Sequence, residues 1–236
     1  MVKISVILLV IIIFIGCDKQ LSMGTIYYTQ GNELYDKGDF ENAIIKYTSA
    51  IEYDSTNQNY FFNRASAYFA LKKFEESVKD YSKVIELYPG NSVAYKSRGI
   101  AYYNTGQIDS AIEDFTQALE FNVYDTEALN NRAFVYASQK NFDAALKDYT
   151  EAIEIDSTNP MVYYNCGAVL DSLGEHTKAV NSYTTAIKLN PQNPSNYIAR
   201  GYSKLEMNNR ISACEDFQTA VKLDSATIVH FNKFCN

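Results

Sequence analysis

The sequence repeats a 34-residue pattern six times without a gap, and this periodicity limits the folds that the chain can adopt. Within residues 92–125, Tyr95, Gly99 and Tyr102 recur at intervals of four and three residues, so they share one helical face. A second apolar set begins at Ala111 and also recurs at helical spacing. The pattern therefore predicts two amphipathic helices, joined by a glycine turn, that bury their apolar faces against neighbouring copies.

Small and aromatic residues recur at fixed positions of the repeats. The six repeats cover residues 24–57, 58–91, 92–125, 126–159, 160–193 and 194–227. Most residues at the eighth, twentieth and twenty-seventh positions are small, which lets antiparallel helices cross closely, and aromatics at the fourth and twenty-fourth positions fill the wider gaps. Gly38, Gly106 and Gly174 fit the left-handed residue that ends a first helix, and Pro160 and Pro194 fit the first turn of the next helix.

This arrangement of aromatic, Gly, Tyr, Ala and Phe residues resembles the tetratricopeptide repeat (TPR) family over residues 24–227. The resemblance implies an all-α fold, a right-handed α-α superhelix (solenoid) of six 34-residue helix pairs, with a concave face lined by the first helices. Beyond the last repeat, Ile228, Phe231 and Phe234 recur at every third residue. We expect residues 228–236 to form a short helix that caps the stack.

The first residues have the layout of a signal peptide. Lys3 supplies a positive charge, and residues 4–15 form an apolar run that is short for a membrane span. The Phe-Ile-Gly-Cys sequence ending at Cys17 resembles the lipobox of bacterial lipoproteins, in which cleavage precedes the Cys and the Cys is then acylated. This implies a lipoprotein signal peptide over residues 1–16 and a tether over residues 17–23.

Three outcomes are open for this segment, and each of them exports the chain. A lipid-anchored Cys17 would attach the protein to a membrane of the bacterial cell envelope, facing the periplasm or the cell surface. The alternatives are a cleaved secretory signal with an incidental Cys and an uncleaved short anchor.

The sequence contains no catalytic or metal-binding constellation. A formal net charge of -7 without basic clusters argues against nucleic acid as a partner. His176 and His230 have no second ligand at metal spacing, and there is no glycine loop for a phosphate. His176 stands where other repeats have Phe or Ile, which favours a packing role. We expect a protein that is not an enzyme and that holds no metal or cofactor.

Arg and Asp occur together in four repeats and are absent together from the other two. They are Arg64, Arg98, Arg132 and Arg200 at the seventh position, with Asp80, Asp114, Asp148 and Asp216 at the twenty-third. This co-occurrence predicts structural ion pairs between the two helices of one repeat. We expect the pairs to be partly exposed and to contribute less than about 1 kcal/mol each. Solvated charges that merely coincide are the alternative.

Cys214 and Cys235 are predicted to form a disulfide, because an exported chain meets an oxidising compartment. Cys214 occupies a position that is apolar in the other repeats and that should face the cap. Cys235 lies at the end of that cap. Two packed thiols are the alternative.

The family resemblance also implies a peptide-binding groove, because six positions of each first helix point into the concave face of such arrays. The residues at these positions include Tyr28, Asn32, Tyr35, Phe62, Asn63, Phe69, Lys96, Tyr103, Asn131, Phe134, Tyr164, Asn165 and Tyr202. Aromatic faces and Asn side chains suit an extended or helical peptide with apolar side chains. The basic residues with which some family members clamp a carboxylate are missing. The alternative is that several of these rings pack between helices.

Together these observations predict an exported, lipid-anchored scaffold that binds a protein or peptide partner without catalysis. An accessory subunit of an envelope glycan-metabolising enzyme and a purely structural spacer are the alternatives.

Overall fold

The computed structural model describes residues 23–235, and over this range the chain is helical with no strand. The prediction of an all-α fold built from consecutive helix pairs is confirmed. The predicted signal peptide, Cys17 and most of the predicted tether lie outside the described residues. The described residues divide between 121 and 122 into two units, and each unit contains three helix pairs.

The first unit contains three consecutive helix pairs. Its helices are α1 (23–36), α2 (Phe40–Tyr53), α3 (Gln58–Ala70), α4 (Phe74–Leu87), α5 (Ser92–Asn104) and α6 (Ile108–Phe121). Helix α3 packs on α4, and α5 packs on α6, so each of these repeats forms a pair. The second helix of each repeat also contacts the first helix of the next, which joins the pairs into one stack within this unit.

The second unit contains three more pairs and the short terminal helix. Its helices are α7 (Thr126–Ser138), α8 (Phe142–Ile155), α9 (Pro160–Ser172), α10 (His176–Leu189), α11 (Pro194–Glu206), α12 (Arg210–Leu223) and α13 (Ile228–Cys235), with a 3-10 turn at Ser225–Thr227. Helix α13 packs on α12, as predicted for the cap. The first residue of α13 lies 34 residues after the first residue of α11. Helix α13 therefore stands where the first helix of a seventh repeat would begin.

Polar side chains at the last position of a repeat fix where the next first helix begins. The carboxamide of Asn159 accepts a hydrogen bond from the Met161 backbone N–H at 3.0 Å, and Asn193 does the same for Ser195 at 3.0 Å. These bonds satisfy backbone donors that the first turn leaves without an intrahelical partner. Asn57, Asn91 and Asp125 cap α3, α5 and α7 in this way.

Each first helix ends at a residue with positive φ, at the fifteenth position of its repeat. Gly38, Gly106 and Gly174 adopt φ values of 76–78°, as their sequence positions predicted. The other three repeats place Lys72, Lys140 and Asn208 there, each with φ 59°. The fixed length of the repeat thus imposes the left-handed conformation even where the residue has a Cβ, which carries a conformational cost.

The two helices of a repeat cross where a small residue faces an aromatic ring. A Cβ added to Gly31 would lie 2.5 Å from the Tyr47 ring, and one added to Gly201 would lie 2.6 Å from the Phe217 ring. Both separations are shorter than carbon atoms tolerate, so Gly is required for this approach. The rings of Tyr47 and Phe217 are 1% and 0% exposed, and they form the centre of their repeats.

Candidate binding surface on the first helices

In the first unit, three predicted groove residues, Tyr28, Asn32 and Asn63, join a hydrogen-bonded cluster beside a cavity of about 360 Å³. The Tyr47 hydroxyl donates to Asn32 Oδ1 at 2.9 Å, and Asn63 Nδ2 donates to the same oxygen at 2.8 Å. Burial raises the pKa of Tyr47 to about 12, so its hydroxyl remains a donor at neutral pH. Asn32 Nδ2 has no hydrogen-bond partner among residues 23–235. This amide can therefore donate to a bound molecule.

The predicted groove aromatics of the first unit are half-buried rather than free. The Tyr35 ring lies edge-on to Phe40 at 5.1 Å between centroids, and Phe62 lies edge-on to Tyr81 at 5.3 Å. Phe69 makes the same contact with Phe74, and Tyr28 packs against Tyr47 and Tyr60. These rings thus pack on neighbouring helices, which is the alternative that the sequence left open, and part of each remains accessible. In α5, Lys96 and Tyr103 are also half-buried.

In the second unit, the predicted groove residues differ in accessibility. Phe134 is 45% exposed, and Asn131 is half-buried. Tyr164 packs against Tyr183 at 5.6 Å, and Asn165 Nδ2 donates to Asn130 Oδ1 at 3.1 Å.

Tyr202 is half-buried and contacts the terminal helix. Its hydroxyl lies 2.8 Å from His230 Nδ1, and its ring lies edge-on to Phe234 at 5.7 Å. Both partners belong to α13, so the cap occupies part of the surface that Tyr202 would otherwise present. Tyr202 remains half-buried, so its place in the groove stays a prediction, with part of its surface taken by the cap. The sequence placed His230 in the cap but gave no indication that it faces Tyr202.

His176 has a polar partner that the sequence did not predict. Its Nδ1 lies 3.0 Å from Asp171 Oδ1, while Ser203 Oγ donates to Asp171 Oδ2 at 2.7 Å. Ser203 and His176 therefore contact different oxygens of one carboxylate, and Ser203 is 1% exposed. This is unlike a nucleophile activated by His, which needs Ser and His in direct contact. The cluster instead links α9, α10 and α11.

The four Arg/Asp pairs each join the two helices of one repeat through two hydrogen bonds. In repeat three, Arg98 Nε lies 2.8 Å from Asp114 Oδ2, and Nη2 lies 2.7 Å from Oδ1. The same paired geometry occurs in Arg64–Asp80, Arg132–Asp148 and Arg200–Asp216.

These pairs are more buried than the sequence suggested. The Arg98 side chain is 17% exposed and that of Asp114 is 4% exposed. The expectation of partial exposure holds for Arg98 but not for Asp114, and the expected contribution of less than about 1 kcal/mol, which applies to solvated pairs, stays a prediction. Burial alone would lower the pKa of Arg98, but the hydrogen bonds and charge of Asp114 raise it overall, so the guanidinium stays protonated.

A hydroxyl of the preceding repeat completes the coordination of the arginines. Arg64 Nη1 donates to Thr48 Oγ1 at 3.0 Å, Arg98 Nη1 to Ser82 Oγ at 2.9 Å, and Arg200 Nη1 to Thr184 Oγ1 at 3.0 Å. Sequence reasoning missed these hydroxyls. The signal was present, because the twenty-fifth position is Ser or Thr in repeats one to five. Each of these contacts joins one helix pair to the next.

The three cysteines that the structure describes are in two different states. Cys214 and Cys235 form a disulfide with a Cα–Cα distance of 5.6 Å. Cys166 is a free, buried thiol that takes the place of Arg in repeat five, beside Ser182, which takes the place of Asp. Burial raises the pKa of the Cys166 thiol, so this substitution replaces a charged pair with a neutral one.

The described part of the chain shows neither a metal-binding group of side chains nor a membrane-spanning helix. No group of three or more His, Cys, Asp or Glu residues within 23–235 is arranged to hold a metal ion. In the same range, none of the helices combines the length and the apolar character that a membrane span requires.

The comparisons with known proteins identify the repeats. The profile of the tetratricopeptide repeat family matches residues 59–91, 92–123, 126–159 and 160–193, which is more than half of the chain. A second profile, of the TPR repeat, matches residues 31–72. A search of curated proteins found no match.

Solved structures with the same fold cover most of the chain. Pseudomonas aeruginosa pilF is 16% identical, with a TM-score of 0.76 over 93% of this chain and 98% of that one. A tetratricopeptide repeat protein from Parabacteroides merdae is 22% identical, with a TM-score of 0.68 over 90% and 84% of the two chains. YrrB, described as a TPR protein with an unusual peptide-binding site, is 20% identical, with a TM-score of 0.63 over 79% and 97%. At these identities the likeness concerns the fold.

Proposed function

The chain belongs to the tetratricopeptide repeat family, and we propose that it binds a protein or peptide partner through the faces of its first helices, without catalysis. The observation that carries this proposal is the amide-lined cavity of the first unit, beside which Asn32 Nδ2 has no partner among residues 23–235. A side-chain amide can pair with the carbonyl of a peptide backbone. YrrB, which shares the fold, is described as having a peptide-binding site, and this likeness supports the proposal.

The shape of this surface favours an extended segment over a compact ligand. The half-buried ring of Tyr35 lines the same cavity as the amides, and the half-buried ring of Phe62 precedes Asn63 on α3. Rings fixed in this way lose little conformational freedom when they bind, so they can provide contact area at low entropic cost. The amides would fix the register of the bound chain, and the rings would receive its apolar side chains.

The binding proposal predicts that the double variant Asn32→Ala, Asn63→Ala loses its partner. Crosslinking in intact cells, followed by identification of the crosslinked protein, should show at least about tenfold less captured partner, which corresponds to the loss of one or two hydrogen bonds. The chain itself has Ala at equivalent positions, in Ala168 and Ala199, so the helices should tolerate the changes.

The matched control is Ile45→Ala, on the exposed side of the second helix α2, where Ile45 is 59% exposed. It should leave capture unchanged. Circular dichroism should show that both variants keep the helical content of the unchanged protein. Equal capture by the double variant and the control would contradict binding at this surface.

We also propose that Cys17 carries the lipid that holds the protein in the cell envelope. The positive charge at Lys3, the apolar run and the Gly16-Cys17 pair support this part of the proposal. Mass spectrometry of the membrane-extracted protein is expected to find a diacylated or triacylated Cys17 as the first residue, and Cys17→Ser should release the protein from the membrane fraction. A protein that retains Met1, or a soluble product with another first residue, would contradict it.

Crosslinking also separates the remaining alternatives. A captured envelope glycan enzyme would make the chain an accessory subunit of that enzyme. The absence of any specific partner would favour a structural spacer.

A further inference from the structure

A second cavity, of about 360 Å³, lies in the second unit where the first turns of α9 and α11 approach each other. Pro160, Met161 and Tyr164 of α9 provide apolar surface on one side of it. Met161 is 61% exposed. The volume is at the lower end of the range found for ligand pockets, about 300–1,000 Å³.

The other side of this cavity is formed largely by carboxamides. Asn165 comes from α9, and Asn190, Asn193 and Asn196 come from the loop before α11 and from its first turn. None of the side chains that line the cavity carries a charge. The cavity thus combines apolar surface with neutral groups that both donate and accept hydrogen bonds.

Asn196 shows that the cavity is more than a surface depression. It is 2% exposed and occupies the third position of its repeat, where Tyr60, Ala94, Ala128 and Val162 form part of the core. Its Nδ2 donates to the Asn190 carbonyl at a long 3.4 Å, and its Oδ1 accepts no hydrogen bond from residues 23–235. The oxygen is not enclosed by protein atoms, so a donor that enters from the cavity can reach it. Because Asn196 lines the cavity, a bound molecule can supply the missing donor.

We propose that this cavity is a subsite for an uncharged segment of the partner's polypeptide, with an N–H of that segment bonded to Asn196 Oδ1. An apolar side chain of the same segment packs against Met161 and Tyr164. This inference rests on the proposed function and specifies the chemistry that one part of the surface selects. A charged group is excluded, because no counter-ion lines the cavity and burial of an unpaired charge is unfavourable.

A peptide fits this cavity better than a neutral sugar does. The Tyr164 ring is already tilted against Tyr183 at 5.6 Å, which leaves less of it for stacking on a sugar ring. Met is an adaptable side chain that is common at surfaces that receive apolar groups. The carboxamide of Asn both donates and accepts hydrogen bonds, so it can pair with the N–H and the C=O of a peptide backbone.

The test uses the full chain and three small leucine probes that differ in their terminal groups and therefore in charge. They are acetyl-leucine methylamide, which is neutral, acetyl-leucine, which is acidic, and leucine methylamide, which is basic. NMR of the Asn side-chain amides and the Met161 methyl group should show the neutral probe binding at least about tenfold more tightly than either charged analogue. The variant Asn196→Val should weaken the neutral probe by a similar factor. Val stands at this position in repeat five as the fully buried Val162, so the fold should accept it.

The inference would be overturned if a charged analogue bound as tightly as the neutral probe, or if Asn196→Val bound it unchanged. Binding of N-acetylglucosamine at this cavity in place of the neutral probe would also overturn it. Crosslinking of the partner in cells distinguishes failure of this subsite from failure of the proposed binding function. If Asn32→Ala, Asn63→Ala abolishes capture and Asn196→Val leaves it intact, the subsite is wrong and the binding function stands.

Discussion

Replacing Asp114 by Ala is expected to lower the local free energy of unfolding of α5 and α6 by about 3–5 kcal/mol. The variant leaves the Arg98 guanidinium 17% exposed and without its counter-ion. The guanidinium lies over the rings of Tyr95 and Tyr102, which cannot replace the two hydrogen bonds that the carboxylate accepts. Because the pair is buried, the loss should change little between low and high salt.

Amide hydrogen exchange is the suitable measurement, because repeat arrays open locally and a single unfolding free energy does not describe them. The matched control is the double variant Arg98→Cys, Asp114→Ser, which copies the neutral pair of Cys166 and Ser182 in repeat five. Removal of both charges leaves no buried ion, so this variant should lose far less stability than Asp114→Ala. A loss below about 1 kcal/mol for Asp114→Ala would mean that the pair behaves like a surface ion pair.

The Arg/Asp pairs show what the sequence could predict and what it could not. Comparison of the repeats predicted which residues pair, because Arg98 and Asp114 have counterparts in three other repeats and both are missing from two. Their burial depends on how closely the next helix pair approaches, and a pattern within one repeat does not specify that distance. For the same reason the hydrogen bond from Arg98 to Ser82 could not be predicted, because Ser82 lies 16 residues before Arg98, in the preceding repeat.

The turns illustrate a different limit. The left-handed residues Gly38, Gly106 and Gly174 were predictable because Gly favours that conformation. Lys72 and Lys140 adopt it because the repeat allows only one length of turn, and their side chains give no sign of it. Only the alignment of the fifteenth position across all repeats could have indicated these residues.

The binding surface was the least predictable part of the site. Helical periodicity places Phe62 and Tyr202 on the faces of their first helices but does not say what else packs there. Phe62 and Tyr202 are both half-buried, but the contact of Tyr202 comes from a helix that begins 26 residues later. Asn196 was missed because its position is apolar in repeats two to five, so the departure from the pattern was itself the signal.

Removing the Cys214–Cys235 disulfide is expected to destabilise the docking of α13 by about 3 kcal/mol, since the bond closes a loop over a separation of 21 residues. The suitable variant is Cys214→Val, Cys235→Ala, because repeats two and five have Val at the position of Cys214. The open state of the cap should then become roughly a hundredfold more populated. Faster amide exchange in residues 228–235, with little change in α7 and α8, would be the observed result.

The cap should nevertheless remain docked in most molecules, because contacts that do not involve sulfur also hold it. Arg210 Nε donates to the Phe234 carbonyl at 2.6 Å, His230 lies 2.8 Å from the Tyr202 hydroxyl, and Phe234 stacks on Phe217 at 5.9 Å. The disulfide therefore mainly limits how often these contacts break, and each opening would expose the rings of Tyr202 and Phe217. Cys166→Ser is the control, because it removes a buried thiol of the same unit and leaves the cap untouched. Cap exchange that is equally slow in the disulfide variant and in this control would show that the aromatic and polar contacts alone hold α13.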